Sequence, residues 1–549
     1  MFKLNNSNQI SIYDSTLYLS EYHQKILNKS WAGYFRENIF PKINEQSFSV
    51  LYSEKGSRPN TPVNIMVGLL ILKELNQLTD AELMEALIFD TRYQYALCTT
   101  DYEKQPISRN AFTNFRNSLI GYEIETGVDL YKEEILRISN EINDCCKKDS
   151  KLKRMDSMMI SARCKPLSRL DLVYRVNVNF ISKVKEELST VLGEREKAYL
   201  DKNFKKENVY EVTKENHQEK LASLLNDSKM LYDKYKSTKM KETEEFKLLE
   251  RLIGEQIDNT TGTPKASKEI SPRSMQNPSE PDATYRFKYG DNIGYVANVV
   301  EDIHENNEIY ITDYDYKPNV TSDKEFMENY IESKDTQEEE TTLVDAAYYS
   351  DQINEKAKEK NINLVPTQTM GKTGAKTYIS NFEIDEENHK VLSCPNGENP
   401  IETNYKSDKH LYTAKFDKCK CENCPFRQQC EKEKIIKKKT TSIKFTQEAY
   451  HKAKLEIKMT QEEYKKLSNH RAGIEGTMSV LRRKYHVDKG PYMGLLRSKL
   501  KFGGSILSIN IKKAIKYAKN KKNLAPILAF LENLHLCIKT SGLKADIAK

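Results

Sequence analysis

A chain of 549 residues is too long for one compact core, so two to four domains are expected. Charged residues make up 30% and hydrophobic residues 38%, which is polar but still globular and excludes a chain disordered throughout. The net charge of +7 is modest, but its distribution is uneven: Lys432, Lys434, Lys437, Lys438 and Lys439 form one basic run, and Lys499, Lys501, Lys512, Lys513, Lys516, Lys519, Lys521 and Lys522 form another. Such runs suit a phosphate backbone as well as a solvated surface. The start, MFKLNNSNQISIYDS, has no apolar stretch of the kind a secretory signal carries, and no segment reaches the roughly 18 apolar residues of a membrane span. A cytoplasmic location is therefore expected.

Residues 1–150 read as helical. Thr61-Pro62 opens a helix running to Leu78, with Val63, Met66, Val67, Leu70 and Ile71 at helical spacing. Thr79-Asp80 starts a second, with Leu83, Leu87 and Ile88 on one face, and Ser108 a third, with Phe112, Phe115 and Leu119. Capped short helices fit either a helix-turn-helix-like bundle or a plain one. Met155 to Ile160 is a buried strand carrying one carboxylate, Asp156. Residues 178–257 are helical, highly charged and proline-free, and predict an inserted hairpin, either plain or coiled-coil-like. Residues 258–283 are rich in Thr, Ser, Pro and Asn and predict a loop.

Strands return at 285–289, 294–300 and 309–313, followed by a helix from Asp323 to Ile331. Thr342 to Asp345 is a short apolar strand ending in an acid, Ser350 caps a helix to about Lys360, and Ile362 to Val365 is the next strand. Strands alternating with helices imply a partly parallel sheet, in which the carboxyl ends of strands host chemistry. Residues 367–455 break the alternation. Thr460-Gln-Glu-Glu463 reads as a capping box for a helix that runs to about Lys484 and carries Glu475, and a further helix covers Ile506 to Lys519.

Asp156 and Asp345 interrupt apolar strands, where a charge is costly unless paired or metal-bound. Glu475 shares a helix side with Arg471 and Arg482, beside an apolar stripe of Ile474, Met478 and Leu481. Gly473 and Gly476 flank it, and close backbone approach is one reason to keep a glycine inside a helix. By position alone, each acid is read equally well as a strand cap or a partner for lysine. If the three converged, their hard oxygens would suit Mg²⁺ or Mn²⁺, and a metal pair roughly 4 Å apart suits phosphodiester cleavage. The pairs Asp302 with His304 and Asp313 with Asp315 are reserve metal candidates.

Five of the ten cysteines crowd into 394–430, which argues for a reducing compartment and a local metal site. Cys394, Cys421, Cys424 and Cys430 are the best-spaced set for a tetrahedral Zn²⁺, Cys419 lying too close to Cys421; buried thiols without metal are the alternative. Gly371-Lys372-Thr373 does not complete a phosphate-binding loop, since the earlier glycine falls at Pro366, so no ATP dependence follows.

The residues around the three acids resemble the IS1182-type transposases of the wider DDE group. Arg154-Met-Asp156-Ser157-Met-Met-Ile-Ser-Ala is similar to the first aspartate motif. Val344-Asp345-Ala-Ala-Tyr348 is similar to the second, with Ala347 where glycine is usual. His470-Arg471-Ala-Gly-Ile-Glu475 through Arg482 to Tyr485 is similar to the third, and Tyr492-Met-Gly494-Leu495, Asn510-Ile-Lys512, Ser279-Glu-Pro-Asp282 and Gly294-Tyr295 continue the likeness. Ser468 and Arg482 stand where the related tyrosine-arginine-glutamate-lysine signature has tyrosine and lysine.

The resemblance implies an α/β fold: an RNase H-like mixed-sheet core with an N-terminal helical domain, a helical insertion and a cysteine-rich insertion. The expected division is a DNA-binding domain 1–150, the first part of the core 151–366 with its insertion 178–257, a zinc-binding insertion 367–455, the rest of the core 456–525, and a tail 526–549. It implies metal-dependent cleavage at terminal inverted repeats and transfer of the 3′-hydroxyl ends into target DNA. Asp156, Asp345 and Glu475 would be the catalytic metal ligands, and Arg471 and Arg482 would hold phosphates. Double-stranded DNA is the implied partner, bound by a homodimer on paired ends. A nuclease of the same fold, or a DNA-binding protein that has lost catalysis, are the alternatives.

Overall fold

A computed structural model of the chain describes residues 1–520 except 6–12, 54, 56–58, 102–106, 146–150, 189–191, 289, 335–338, 369–376, 431–434, 437–439 and 490–491. The basic run from Lys432 to Lys439, Lys521 and Lys522, Cys146, Gly371-Lys372-Thr373 and the tail 526–549 lie outside the described residues.

The chain begins with α1 (Glu21–Lys29), α2 (Trp31–Asn38), α3 (Val63–Asn76), α4 (Asp80–Phe89), α5 (Thr91–Ala96), α6 (Arg109–Thr126) and α7 (Leu130–Cys145). Pro62 occupies the position just before α3 rather than its first turn, and Gln77 ends the helix in a left-handed conformation. Every residue of α3 from Val63 to Leu75 is buried, so this helix is the axis of the bundle and not one wall of it. Thr79 and Glu82 form a capping box on α4, and the Ser108 hydroxyl caps α6. Leu83 and Leu87 are buried as predicted, but Ile88 is 47% exposed: it stands one residue beyond the narrow apolar stripe.

Strand β1 (Leu152–Ser161) follows, and then α8 (Arg169–Leu188), α9 (Glu194–Tyr199), α10 (Lys202–Lys205), α11 (His217–Tyr235) and α12 (Glu244–Gln256). The predicted two-helix hairpin over 178–257 is instead a small bundle that starts at Arg169. Its core gathers Val173, Phe180 and Val184 of α8, Leu221, Leu224 and Leu231 of α11, and Phe246, Leu249 and Leu252 of α12. The apolar face of α8 is too wide for a two-stranded seam, so three helices close on it.

Strands β2 (Thr284–Phe287), β3 (Asp291–Ile303) and β4 (Ile309–Pro318) lead through α13 (Asp323–Glu332) to β5 (Glu340–Val344), α14 (Asp351–Glu359) and β6 (Ile362–Pro366). The sheet runs β4-β3-β1-β5-β6, with β2 pairing the first residues of β3 ahead of β4. Strand β3 is antiparallel to β1 and β4, whereas β5 is parallel to β1 and to β6. The parallel pairs need crossovers, and α14 supplies the one between β5 and β6.

Both faces of the sheet are covered. Met155, Val296, Val300 and Val344 pack under Phe326 and Met327 of α13 and Ile353 of α14. On the other face, Met158, Ile160, Ala297 and Val299 share one continuous core with the N-terminal helices and the C-terminal ones.

Residues 377–458 form a β-rich unit: β7 (Glu383–Asp385), β8 (Lys390–Ser393), β9 (Glu402–Lys406), β10 (Leu411–Asp417), β11 (Ile435–Ile436) and β12 (Thr440–Thr446), with α15 (Lys418–Glu422), α16 (Arg427–Cys430) and α17 (Gln447–Lys458). Strands β11-β12-β10-β9 make an antiparallel sheet over a core of Phe382, Tyr412, Phe416, Phe445 and Tyr450.

The chain then returns to the first sheet through α18 (Glu462–Ala472), α19 (Ile474–Arg483) and α20 (Leu495–Asn520). The capping box expected at Thr460 does not form, because its hydroxyl donates back to the Ile457 carbonyl at the end of α17. The single helix expected to Lys484 is two, interrupted at Gly473. Helix α20 crosses α3, α7 and β4. A Cβ on Gly503 would lie 2.4 Å from the Tyr314 hydroxyl, and one on Gly504 2.8 Å from the Glu74 side chain, so the Gly-Gly pair is what lets these elements close on α20.

Candidate active site

The parallel pairing of β1 with β5 sets Arg154 against Leu343. Two residues further along each chain stand Asp156 and Asp345, on the same face by strand alternation and at the level where the two strands part. Asp156 Oδ1 accepts the Ser157 N–H at 2.8 Å, and Oδ2 accepts Arg471 Nη1 at 3.2 Å. Asp345 accepts the Ala346 N–H at 2.6 Å and so caps the short turn 346–348 that ends the strand. Burial pushes the Asp156 carboxyl above the ordinary aspartate range; Asp345 and Asp323 push the same way, against the Ser157 N–H and Arg471. The two aspartates therefore share one electrostatic environment.

Below them, on the opposite face, Ser157 Oγ donates to Asp323 at 2.7 Å, and the buried Tyr348 hydroxyl donates to Asn298 at 2.8 Å. These bonds tie β1 to α13, and the turn after Asp345 to β3.

Glu475 lies in the first turn of α19 and is exposed, while Ile474, Met478 and Leu481 on the adjacent stripe are buried as predicted. Arg482 is exposed on the same helix. Arg471, expected at a DNA phosphate, is instead buried against Asp156, with its side chain 7% exposed. The reason is electrostatic: a largely buried aspartate needs a counter-ion, and Arg471 at the end of α18 is within reach. Among the described residues, no group of three or more His, Cys, Asp or Glu side chains gathers as a metal site. Asp156 and Asp345 thus come together, and Glu475 stands on the neighbouring helix.

The same holds for the cysteines. Cys430 is buried in the core of the β-rich unit, Cys394 and Cys421 pack partly against it, and Cys424 follows one turn after Cys421. They lie around one small core, and among the described residues no three of them gather as a metal site. The reserve acids serve the fold: Asp302 accepts from Thr312 and Asn143, and His304 bonds the same Asn143 at 2.7 Å.

Sequence reasoning missed the residue that crosses behind the site. Arg154 Nε donates to Glu301 at 2.7 Å, and Nη1 donates to the His470 carbonyl at 2.6 Å. A Cβ on Gly473 would lie 2.4 Å from that Nη1, whereas one on Gly476 would meet nothing within 4 Å. Of the two glycines flanking Glu475, only Gly473 marks a close approach. The arginine two residues before Asp156 was the available signal, but nothing in the sequence paired it with Glu301.

Two family profiles match the chain. Residues 25–118 match "Transposase domain (DUF772)", and residues 393–515 match "Transposase DDE domain". Two separate stretches of the chain are thus similar to transposase domains, the second of them to the DDE domain. The first match covers α1 to α6 in large part, and the second takes in Arg471, Glu475, Arg482 and the four cysteines. No curated protein and no solved structure matches the chain. Motif residues further along the chain bridge its parts. The Tyr492 hydroxyl accepts from Lys73 and from Arg116 at 3.3 Å, and both cations also bind Asp80. The buried Glu280 accepts the N–H of Gly494 at 2.9 Å and that of Cys164 at 2.6 Å.

Proposed function

We propose that this chain is a DDE transposase that cleaves DNA at the terminal inverted repeats of an IS1182-type element and joins the freed 3′-hydroxyl ends to target DNA, at a site formed by Asp156, Asp345 and Glu475. The observation that carries this is the placement of Asp156 and Asp345 side by side where β1 and β5 part, opposite the helix that bears Glu475. The strand order β4-β3-β1-β5-β6, with β3 alone antiparallel to its neighbours on both sides, supports an RNase H-like core.

The donor set fits Mg²⁺ or Mn²⁺. Both aspartates offer hard oxygens, and the Asp345 charge raises the cost of charge on Asp156, a conflict that a divalent cation relieves. Such ions supply stabilisation of charge on the attacking and leaving oxygens of a phosphodiester. Asp156 and Asp345 would hold the metal, and Glu475 would complete the set from α19. Arg482 projects from the same helix and would meet a phosphate, which fixes the strand before reaction. Arg471 neutralises Asp156 in the protein by itself. Cys394, Cys421, Cys424 and Cys430 would hold a structural Zn²⁺, with no part in the reaction; stoichiometric Zn²⁺ in the purified protein supports that reading, and its absence removes it.

The substrate is double-stranded DNA, and two copies would act on paired ends in the cytoplasm. Among the described residues no helix is long and apolar enough to cross a membrane. The test compares wild type with Asp156→Ala, Asp345→Ala and Glu475→Ala on DNA carrying the element's own ends, with Mg²⁺ present. Loss of cleavage and of strand transfer in all three is the expected result. Full activity in any one removes that residue from the site.

A further inference from the structure

The ion pair behind the site has no part in the chemistry just described. Arg154 and Glu301 face each other across the β1–β3 pairing, and their side chains are 4% and 0% exposed. Arg154 Nε and Nη2 both reach Glu301 Oε2, at 2.7 and 2.6 Å. Glu301 Oε1 accepts from the buried Thr477 hydroxyl at 2.6 Å and has Lys513 at 3.8 Å. The remaining guanidinium nitrogen, Nη1, takes the carbonyl of His470 at 2.6 Å.

These contacts converge on one place. His470 is in the last turn of α18, Thr477 in the first turns of α19, and Glu475 lies between them. At the junction, the Gly473 N–H still bonds the Asn469 carbonyl and the Gly476 N–H turns back to Gly473, while Arg154 occupies the space a side chain at 473 would need. A carbonyl near a helix end accepts a donor from outside the helix, and a guanidinium is the strongest such donor in the chain's repertoire. Arg154 is also two residues from Asp156 on the same face of the same strand. One side chain therefore links the strand of the first aspartate to the start of the helix of the glutamate.

We infer that Arg154, held by Glu301, is a positioning residue that sets Glu475 in register with Asp156 and Asp345. The pair acts through the α18–α19 junction and touches no substrate. This rests on the metal-site reading above. A buried ion pair is a weak source of stability, since apolar replacements of similar volume are often tolerated, but it does fix geometry. Removing both charges together should therefore leave a folded protein with a displaced glutamate.

The experiment uses the full chain loaded with Fe²⁺ in place of Mg²⁺, with ascorbate and peroxide, so that the backbone is cut wherever it passes close to the bound ion. Wild type is expected to be cut near 156, 345 and 475. Arg154→Met/Glu301→Leu, checked for folding by circular dichroism and by its melting curve, should keep the first two cuts and lose the third at least tenfold. Gly473→Ala, which keeps both charges but drives a methyl into Nη1, should show the same selective loss. Three cuts of wild-type strength in both variants would overturn the positioning role and leave the metal site standing. Absence of any cut near 156 and 345 in wild type would overturn both.

Discussion

Gly473 and Gly476 flank Glu475 and should respond oppositely to the same substitution. By helix propensity alone, glycine to alanine stabilises by about 1 kcal/mol at an exposed site. At 476 the new methyl meets nothing within 4 Å, so Gly476→Ala should gain that amount. At 473 it would lie 2.4 Å from Arg154 Nη1. The end of an arginine usually yields, but this one is 4% exposed and bonded to Glu301 and His470. Forcing it aside breaks a buried pair, which costs about 3–5 kcal/mol. Less the propensity gain, Gly473→Ala should be destabilised by roughly 2–4 kcal/mol. The assay is urea unfolding followed by the fluorescence of Trp31, the chain's one tryptophan, which packs against the same core as Ile474 and Leu481. Equal stability of the two variants, or a stabilised Gly473→Ala, would refute the claim that Arg154 is pinned there.

Other outcomes are expected from other sites. The amide of the fully buried Asn510 on α20 accepts the Ile311 N–H at 3.0 Å and donates to the Ile311 carbonyl at 2.7 Å, beside the bulge in the β3–β4 pairing. Asn510→Leu leaves both backbone groups unpaired at about 1–3 kcal/mol each, so hydrogen exchange in peptides spanning 309–313 should accelerate; unchanged protection there would contradict it. Burial, with Lys484 nearby, pushes the Lys512 ammonium down to about 8. An unfolded lysine titrates near 10.4, so between about pH 8 and 10.4 the unfolded chain holds a proton the folded one has shed, and stability rises with pH across that window. Lys512→Met should make that rise shallower, as read from melting temperature against pH, with Lys501 and Lys513, also pushed down by burial, keeping part of it. Mg²⁺ should raise the melting temperature of wild type, by the equivalent of about 2.7 kcal/mol at a hundred times its dissociation constant, and leave Asp345→Asn unmoved; an equal shift in both would remove Asp345 from the metal.

Much of this was legible in the residues because it depends on local rules. Alternation and spacing placed β1, α13, β5, α14 and β6 within a few residues of their observed bounds, and the Ser108, Ser350 and Thr79 caps formed because a side-chain oxygen satisfies the first free N–H groups of the helix that follows. Asp156 and Asp345 stood out because an acid inside an apolar strand needs a partner.

The partner itself was decided in three dimensions. Strand register set Asp156 beside Asp345, and the break at Gly473 turned Arg471 inward onto Asp156 instead of outward toward a phosphate. The three-helix closure of the insertion after β1, and the shared core of α3, α7, β4 and α20, depend on how wide each apolar face is and on what lies across from it. Arg154 and Glu301 are 147 residues apart in the chain and became a pair only when β3 folded back along β1. Propensity and pattern act over a few residues, so they fix which segments become helices or strands. Which buried charges meet is fixed by packing across the whole fold.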